Sequence, residues 1–498
     1  MPAAPARNHK TQQAPSAPVG LRGYIRDRFM EVRRRPLTDY YMILVIVALL
    51  SGIGVVMVAS ASMTWSVLDG MSVWSTALRQ TIMVAVGFAA MVAAMWVRPT
   101  FIRRFSGLFL LVSIVLLLLV HVPGLGTGRD EVGAQSWLVL GPLQFQPSEV
   151  ARVAIAVWGA HFLADRKANG YSGAGSKLWN PLTQFSLVAI GITLLILLEG
   201  DLGMAVAFLL VVAALLFYAG IDWRFLALAG VTLVAGLALV FMGGGFRSNR
   251  FTVYFDALFG RFEDTRGVAF QSYQGFLSLA DGGMFGVGIG QSRAKWFYLP
   301  EAKNDFIFAI IGEEMGLFGA SIVIVLFGLL GIMGLRTARR SSSQFLGLLA
   351  ATLTTSVVVQ AFINIGYVIG VLPVTGIQLP MISAGGTSAV ITLAAMGLLA
   401  SCARHEPEAI SAMQSYGRPA IDRLLFLREP TLQGLDTPKV ERTSRNPQRP
   451  RQAQDHRDNR DHRGNRDNRE RIHTGSVNDR AHRRPPRGAG GGGASRRR

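Results

Sequence analysis

The sequence predicts an all-α polytopic membrane protein with ten transmembrane helices and a large extracytoplasmic loop between helices 7 and 8. Three observations carry this. Half of the 498 residues are hydrophobic and only 16% are charged, against roughly a quarter in soluble proteins. Apolar runs near the ~20 residues that cross a ~30 Å hydrocarbon core recur between residues 40 and 403. The formal charge of +19 gathers at the ends: residues 1–40 carry 8 basic and 3 acidic side chains, residues 404–498 carry 22 and 12. This pattern excludes an ordinary cytosolic enzyme.

The runs are 40–61, 77–97, 101–122, 148–164, 182–199, 202–219, 223–242, 305–335, 345–369 and 382–403. Only Gly200 and Asp201 separate the fifth from the sixth, so these form a tight hairpin. Short basic loops stay in the cytoplasm. Placing the N-terminus inside puts Arg33–Arg35, the Arg98/Arg103/Arg104 loop, Arg166/Lys167/Lys177 and Arg336/Arg339/Arg340 all on the cytoplasmic side. Both termini are then cytoplasmic. Loops 62–76, 123–147, 199–202, 243–304 and 370–381 face outward.

The tails bracket this domain. Residues 1–39 lack the apolar core of a secretory signal, so insertion is expected to use the mature helices. Residues 404–498 form an Arg-rich tail that, from about Thr437, is too poor in apolar residues to bury a core and is expected to be mostly disordered. It lacks the aromatic interleaving of an RNA-binding segment, so no nucleic-acid partner is expected. Membrane lipids and adapter proteins are the expected contacts. The single cysteine, Cys402, excludes a disulfide framework and reads as a small buried hydrophobe. His121 and His161 lack metal-ligand spacing and read as core residues.

Ionisable groups near membrane depth are costly and mark function, and here they share the external side. Gln146, Ser148, Glu149 and Arg152 open the fourth span, with Glu149 and Arg152 on one helical face. Asp201 tips the hairpin, Arg79 and Gln80 start the second span, and Asp305 opens the eighth. Each has a plainer reading: an ion pair for Glu149 with Arg152, a turn or cap for Asp201, a helix cap for Asp305. Glu313 and Glu314, a few turns deeper, read as internal hydrogen-bonding groups. Loop 243–304 is long and, unusually for an external loop, basic. Arg250, Arg293 and Lys295, beside a glycine-rich run from Gly282 to Gly290, suggest an anionic ligand such as a diphosphate. The glycine run lacks the Lys-Ser/Thr of a phosphate-binding loop. The Pro- and Gly-rich stretch from Leu372 to Ser388, including Ser383, breaks helix at membrane depth, which requires a protein-buried or cavity-lining backbone.

Gln146-Pro147-Ser148-Glu149, Gly200-Asp201-Leu202-Gly203, Gly283–Gly290 with Lys295, Leu299-Pro300-Glu301-Ala302, Asn304-Asp305-Phe306-Ile307-Phe308-Ala309, Gly312-Glu313-Glu314 and Leu372–Gly376 with Ser383–Ser388 resemble the SEDS family of bacterial cell-wall polymerases across residues 40–403. Ile377–Ser388 is more similar to division than to elongation members, and the Arg-rich tail and Ala384 resemble actinobacterial ones. The resemblance implies a ten-span, inverting peptidoglycan glycosyltransferase that polymerises lipid II at the outer membrane face of the division septum. Its partners would be lipid II, a lipid-linked glycan strand, a class B penicillin-binding transpeptidase and other divisome proteins met through the cytoplasmic tails. Asp305 matches the family's essential external aspartate and would be the catalytic base. Glu149 matches its second-motif glutamate, while Arg152 stands where a lysine is usual. The hairpin lacks the usual proline, and Lys303 replaces a common histidine. Arg152, Arg250, Arg293 and Lys295 would offset diphosphate charge, and Glu149, Asp201, Arg79, Gln146, Ser148 and Ser383 complete the expected substrate-binding set. A divalent cation such as Mg or Mn could assist, though no ligand cluster demands one. A lipid II flippase and a non-catalytic divisome scaffold are the alternatives.

Overall fold

A computed structural model describes residues 36–68, 70–128, 135–141, 143–167, 181–224, 227, 230–231, 268–296, 299 and 302–431. In chain order the helices and strands are α1 (Thr38–Leu68), α2 (Ser75–Trp96), α3 (Pro99–Val120), β1 (Gly126–Thr127), β2 (Trp137–Leu140), β3 (Leu143–Phe145), α4 (Pro147–Lys167), α5 (Pro181–Leu198), α6 (Leu202–Tyr218), α7 (Val268–Gly282), α8 (Ile307–Arg340), α9 (Gln344–Val368), α10 (Gly386–Arg404), α11 (Pro407–Tyr416) and α12 (Ala420–Leu424).

Seven of these, α1, α2, α3, α5, α8, α9 and α10, are long and apolar enough to cross a membrane. The chain is therefore a multi-pass membrane protein. The expected spans 148–164 and 202–219 are also helical, as α4 and α6. The 17 residues of α6 rise ~26 Å, near the lower limit for a crossing. The expected span 223–242 lies largely outside the described residues, so the ten-helix count is established only in part.

Lipid tails are as apolar as leucine, so helices in a bilayer associate by close packing rather than by hydrophobic burial. Helices α2 and α10 share the most extensive face. A Cβ at Gly397 of α10 would lie 2.3 Å from the Met91 carbonyl oxygen of α2, so only glycine lets the two backbones approach this closely. Helix α8 packs along α1, α7 and α9, and α4 lies against α3, α6 and α9.

Two features depart from the expected architecture. The segment between α3 and α4 holds a three-stranded antiparallel sheet, β1-β2-β3, with Leu138 opposite both Gly126 and Phe145. Apolar residues flanking a turn at Gly141 (φ 61°) allow this pairing in an otherwise helical chain. The tail, expected to start at residue 404, is folded through residue 431, because Ala409, Met413 and Leu427 are buried against the bundle. The remainder of the tail lies outside the described residues.

The 34-residue α8 rises ~51 Å, longer than the hydrocarbon core. It breaks at Gly316, where φ is 67° and ψ −170°. The glycine-rich segment crosses at this break. A Cβ on Gly316 would sit 2.3 Å from the Gly286 amide nitrogen.

Candidate active site

Asp305 lies in the turn entering α8, half-buried, and its backbone is fastened from two sides. From α9, Asn364 Nδ2 and Tyr367 OH each reach the Asp305 carbonyl oxygen at 2.9 Å. The same two groups reach the Ile377 carbonyl oxygen at 2.7 Å. From the segment before α10, Ser383 Oγ donates to the Asn304 carbonyl at 2.7 Å and the Ala384 amide donates to the Lys303 carbonyl at 2.9 Å. Phe306 is buried edge-on against Tyr367, with ring centroids 5.8 Å apart. The turn is thus a fixed mount that presents one carboxylate at this end of the bundle.

A second polar group gathers at the start of α4. Gln146 Nε2 donates to Asp201 Oδ2 at 2.8 Å, while Asp201 Oδ1 caps α6 by accepting the Met204 amide at 2.9 Å. Ser388 Oγ of α10 donates to Glu149 Oε1 at 2.5 Å. Among the described residues, Glu149 Oε2, Ser148 Oγ, both Glu199 carboxylate oxygens and the Nε and Nη1 of Arg152 are buried without a hydrogen-bond partner. Arg152 is only 3% exposed. A buried guanidinium with free donors is expensive unless an anion meets it. Glu149 lies one turn away on the same helix, yet no ion pair within 4 Å joins them among the described residues. Glu199, in the hairpin turn beyond α5, has its carboxyl pushed up to about 9 by burial and by Asp201, so near neutrality it is uncharged and able to donate a hydrogen bond.

The segment 372–388 connects the two groups. Within residues 383–388 it holds the Asn304–Asp305 turn through Ser383 and Ala384, and Glu149 through Ser388. Gln80 Nε2 steadies it from α2 by donating to the Ser383 carbonyl at 3.3 Å, and Gln360 Nε2 from α9 by donating to the Gln378 carbonyl at 3.0 Å. Gly203 of α6 is pressed against it: a Cβ there would lie 2.4 Å from the Thr375 carbonyl oxygen. Within this helix-breaking stretch Ile377 and residues 379–383 are buried, while Leu372 and Gly376 are exposed.

The basic loop is arranged differently from the expectation. The Lys295 ammonium is 3% exposed and points inward, 3.4 Å from Glu314 Oε1 and from Ser60 Oγ, and also donates to the Gly290 carbonyl. It closes a buried ion pair instead of lining an anion-binding surface, because Glu313 and Glu314 draw the whole segment onto α8. Ser292 Oγ and the Arg293 amide donate to the two oxygens of Glu313 at 2.7 and 2.6 Å, and Ser60 Oγ donates to Glu314 Oε1 at 2.6 Å. The Val287 and Gly288 amides donate to the Glu313 and Glu314 carbonyls. The glycine run is therefore a clamp over the α8 break.

The Arg293 and Arg79 side chains are exposed and are not brought into either polar group; Arg250 lies outside the described residues. Ser383 and Gln146 spend their hydrogen bonds within the protein. His121 is exposed at the end of α3 and is not a core residue; His161 is half-buried, accepts from Arg103 Nε at 3.2 Å and lies edge-on to buried Phe345; Cys402 is buried as expected. Asn364, Tyr367 and Ser60 went unnoticed in the sequence. The signal for Asn364 was available: an amide inside an apolar run must find buried partners. Among the described residues no group of three His, Cys, Asp or Glu side chains could hold a metal ion.

The sequence profile described as cell cycle protein, FtsW/RodA/SpoVE, matches residues 40–408. A Mycobacterium tuberculosis protein named probable peptidoglycan glycosyltransferase FtsW is 41% identical over 405 residues, covering 81% of this chain and 75% of that one. The crystal structure of Thermus thermophilus rod shape determining protein RodA superposes with a TM-score of 0.53 at 25% identity, covering 73% of this chain and 96% of RodA. A chain from a peptidoglycan synthase complex shares the fold, with a TM-score of 0.59 at 24% identity over 74% of this chain and 98% of that chain.

Proposed function

The chain belongs to the FtsW, RodA and SpoVE family of cell cycle proteins and is a peptidoglycan glycosyltransferase, and we propose that it polymerises lipid II at the Asp305 mount during division. The observation that carries this is the fastening of a half-buried carboxylate by a segment that also holds Glu149, one helical turn from the buried Arg152 with its free donors.

The chemistry is inverting glycosyl transfer. The 4-hydroxyl of the acceptor sugar attacks the anomeric carbon of the lipid-linked donor. The new O4–C1 bond forms as the bond from C1 to the diphosphate oxygen breaks, and the diphosphate leaves on its lipid carrier. Asp305 takes the hydroxyl proton, which matters because a free alcohol is a weak nucleophile; such general-base assistance contributes roughly 10²–10⁴-fold. Arg152 meets the charge growing on the diphosphate, in a dry setting where a cation acts most strongly. Glu149, held by Ser388, and Asp201, held by Gln146, orient the arginine and the sugars. The fixed backbone of Asp305 keeps the base in register with the hydroxyl. A class B penicillin-binding transpeptidase is the proposed partner that crosslinks the strands, both termini are cytoplasmic, and the septum is the proposed location.

The test uses purified protein with its transpeptidase partner and labelled lipid II in detergent. Glycan polymer from the native chain and none from Asp305→Ala, at equal expression and partner binding, supports the reading. Equal polymer from both removes Asp305 from this role. Lipid II scrambling by the protein in liposomes, without polymer, would instead favour a flippase.

A further inference from the structure

At the opposite end of the bundle, α11, α12 and the residues after them fold back beneath the ends of α1, α2 and α10. Three buried groups lock this fold. Arg404 Nε and Nη2 donate to Asp422 Oδ2 at 3.0 and 2.7 Å, Tyr40 OH donates to Asp422 Oδ1 at 2.8 Å, and Arg404 Nη2 also reaches the Arg428 carbonyl at 2.8 Å. Asp422 is fully buried, so α12 is held by a compensated charge, costly to separate. Trp96, the last residue of α2, donates its indole N–H to the Leu425 carbonyl at 2.8 Å.

What the lock holds outward is unusual for a protein surface. Leu424 is 75% exposed and Phe426 83%, with Arg423 and Arg428 exposed beside them. Phe426 keeps φ at 52°, a region that residues other than glycine seldom occupy. Trp96 itself is 58% exposed, on a span with little of its surface covered by protein. Tryptophan and tyrosine at span ends mark the headgroup level, and the Trp96–Leu425 bond places Leu424 and Phe426 at that level. Bulky apolar side chains flanked by arginines suit this position: the apolar groups enter the acyl boundary and the guanidiniums meet lipid phosphates.

We propose that residues 423–428 are a membrane-surface anchor, in which Leu424 and Phe426 insert into the cytoplasmic leaflet and Arg423 and Arg428 bind anionic headgroups. The assignment of this leaflet rests on the distribution of basic loops. The anchor would tie the ends of α1, α2 and α10 to the lipid composition of the leaflet, independently of the external chemistry.

The test places a nitroxide on Phe426→Cys in the full chain, since buried Cys402 resists labelling, and reconstitutes it in nanodiscs of phosphatidylglycerol with phosphatidylcholine. The label should collide with oxygen more than with an aqueous nickel chelate. Water-like accessibility, the result if this patch instead awaits a protein partner, overturns the proposal. Adding Arg423→Gln with Arg428→Gln should move the label toward water in these discs and leave it unmoved in phosphatidylcholine alone. Unchanged depth in the anionic discs would overturn the headgroup contact.

Discussion

Replacing Asn364 by alanine should damage catalysis more than replacing Tyr367 by phenylalanine, for a reason that can be counted. Two carbonyl oxygens, those of Asp305 and Ile377, receive hydrogens from Asn364 Nδ2 and Tyr367 OH at 2.7 to 2.9 Å. The amide supplies two hydrogens and the phenol one. Tyr367→Phe leaves two hydrogens for two carbonyls, at a cost of about 0.5–1.5 kcal/mol for one neutral hydrogen bond. Asn364→Ala leaves one hydrogen for two carbonyls, so one buried oxygen is orphaned at about 1–3 kcal/mol. Because the orphan is either the backbone of Asp305 or the segment bearing Ser383, the carboxylate should also drift, and a ~1 Å misplacement of a reacting group can cost ~10²-fold in rate. Asn364→Asp should be worse still, setting an acceptor against two acceptors. The assay pairs the initial rate of lipid II polymerisation with thermal melting of each purified variant. Native rate in Asn364→Ala, or a larger loss in Tyr367→Phe, would refute the reasoning.

Other outcomes follow from the same geometry. Ser388→Ala removes the hydrogen bond that Ser388 Oγ gives Glu149 Oε1 and should cost about 1–3 kcal/mol by orphaning a buried acceptor, read as a lower melting temperature together with reduced polymerisation. Gly316→Ala combines a φ of 67° with a Cβ 2.3 Å from the Gly286 nitrogen; it should release the glycine-rich clamp, seen as new protease cleavage between residues 283 and 296. At the opposite end of the bundle, burial pushes the Glu406 carboxyl up to about 7, with Asp39 adding to the rise against Thr337, Arg336 and Arg340. The folded state then holds a proton that the unfolded chain releases, so this contribution is complete below the ordinary value of 4.5 and is lost as pH rises through 7. The melting temperature should fall across that interval in the native chain and fall less in Glu406→Gln.

The spans were legible because membrane crossing imposes length and apolarity together, and α2, α3, α5 and α9 fall within about two residues of their apolar runs. The site was legible in part. Asp305, Glu149 and Asp201 stand out as carboxylates at the ends of apolar runs, a pattern costly enough to be informative on its own. Lys295 misled because charge in a loop says nothing of direction: only the fold shows that Glu314, on a separate element, draws it inward. Ser383 misled likewise, since a serine in a Pro- and Gly-rich stretch can face a ligand or hold a neighbouring backbone, and here it holds Asn304. The β1–β3 sheet was hidden by its short strands, and the folded segment 405–431 by the Arg-rich composition that follows it.

The most direct measurement is the single-turnover rate of glycan bond formation by Asp305→Asn beside the native chain, at equal bound lipid II. Asparagine keeps the shape and the backbone bonds from Asn364, Tyr367 and Ser383 while removing the base. The rate should drop by ~10²-fold or more with binding intact. An unchanged rate would contradict Asp305 as the proton acceptor.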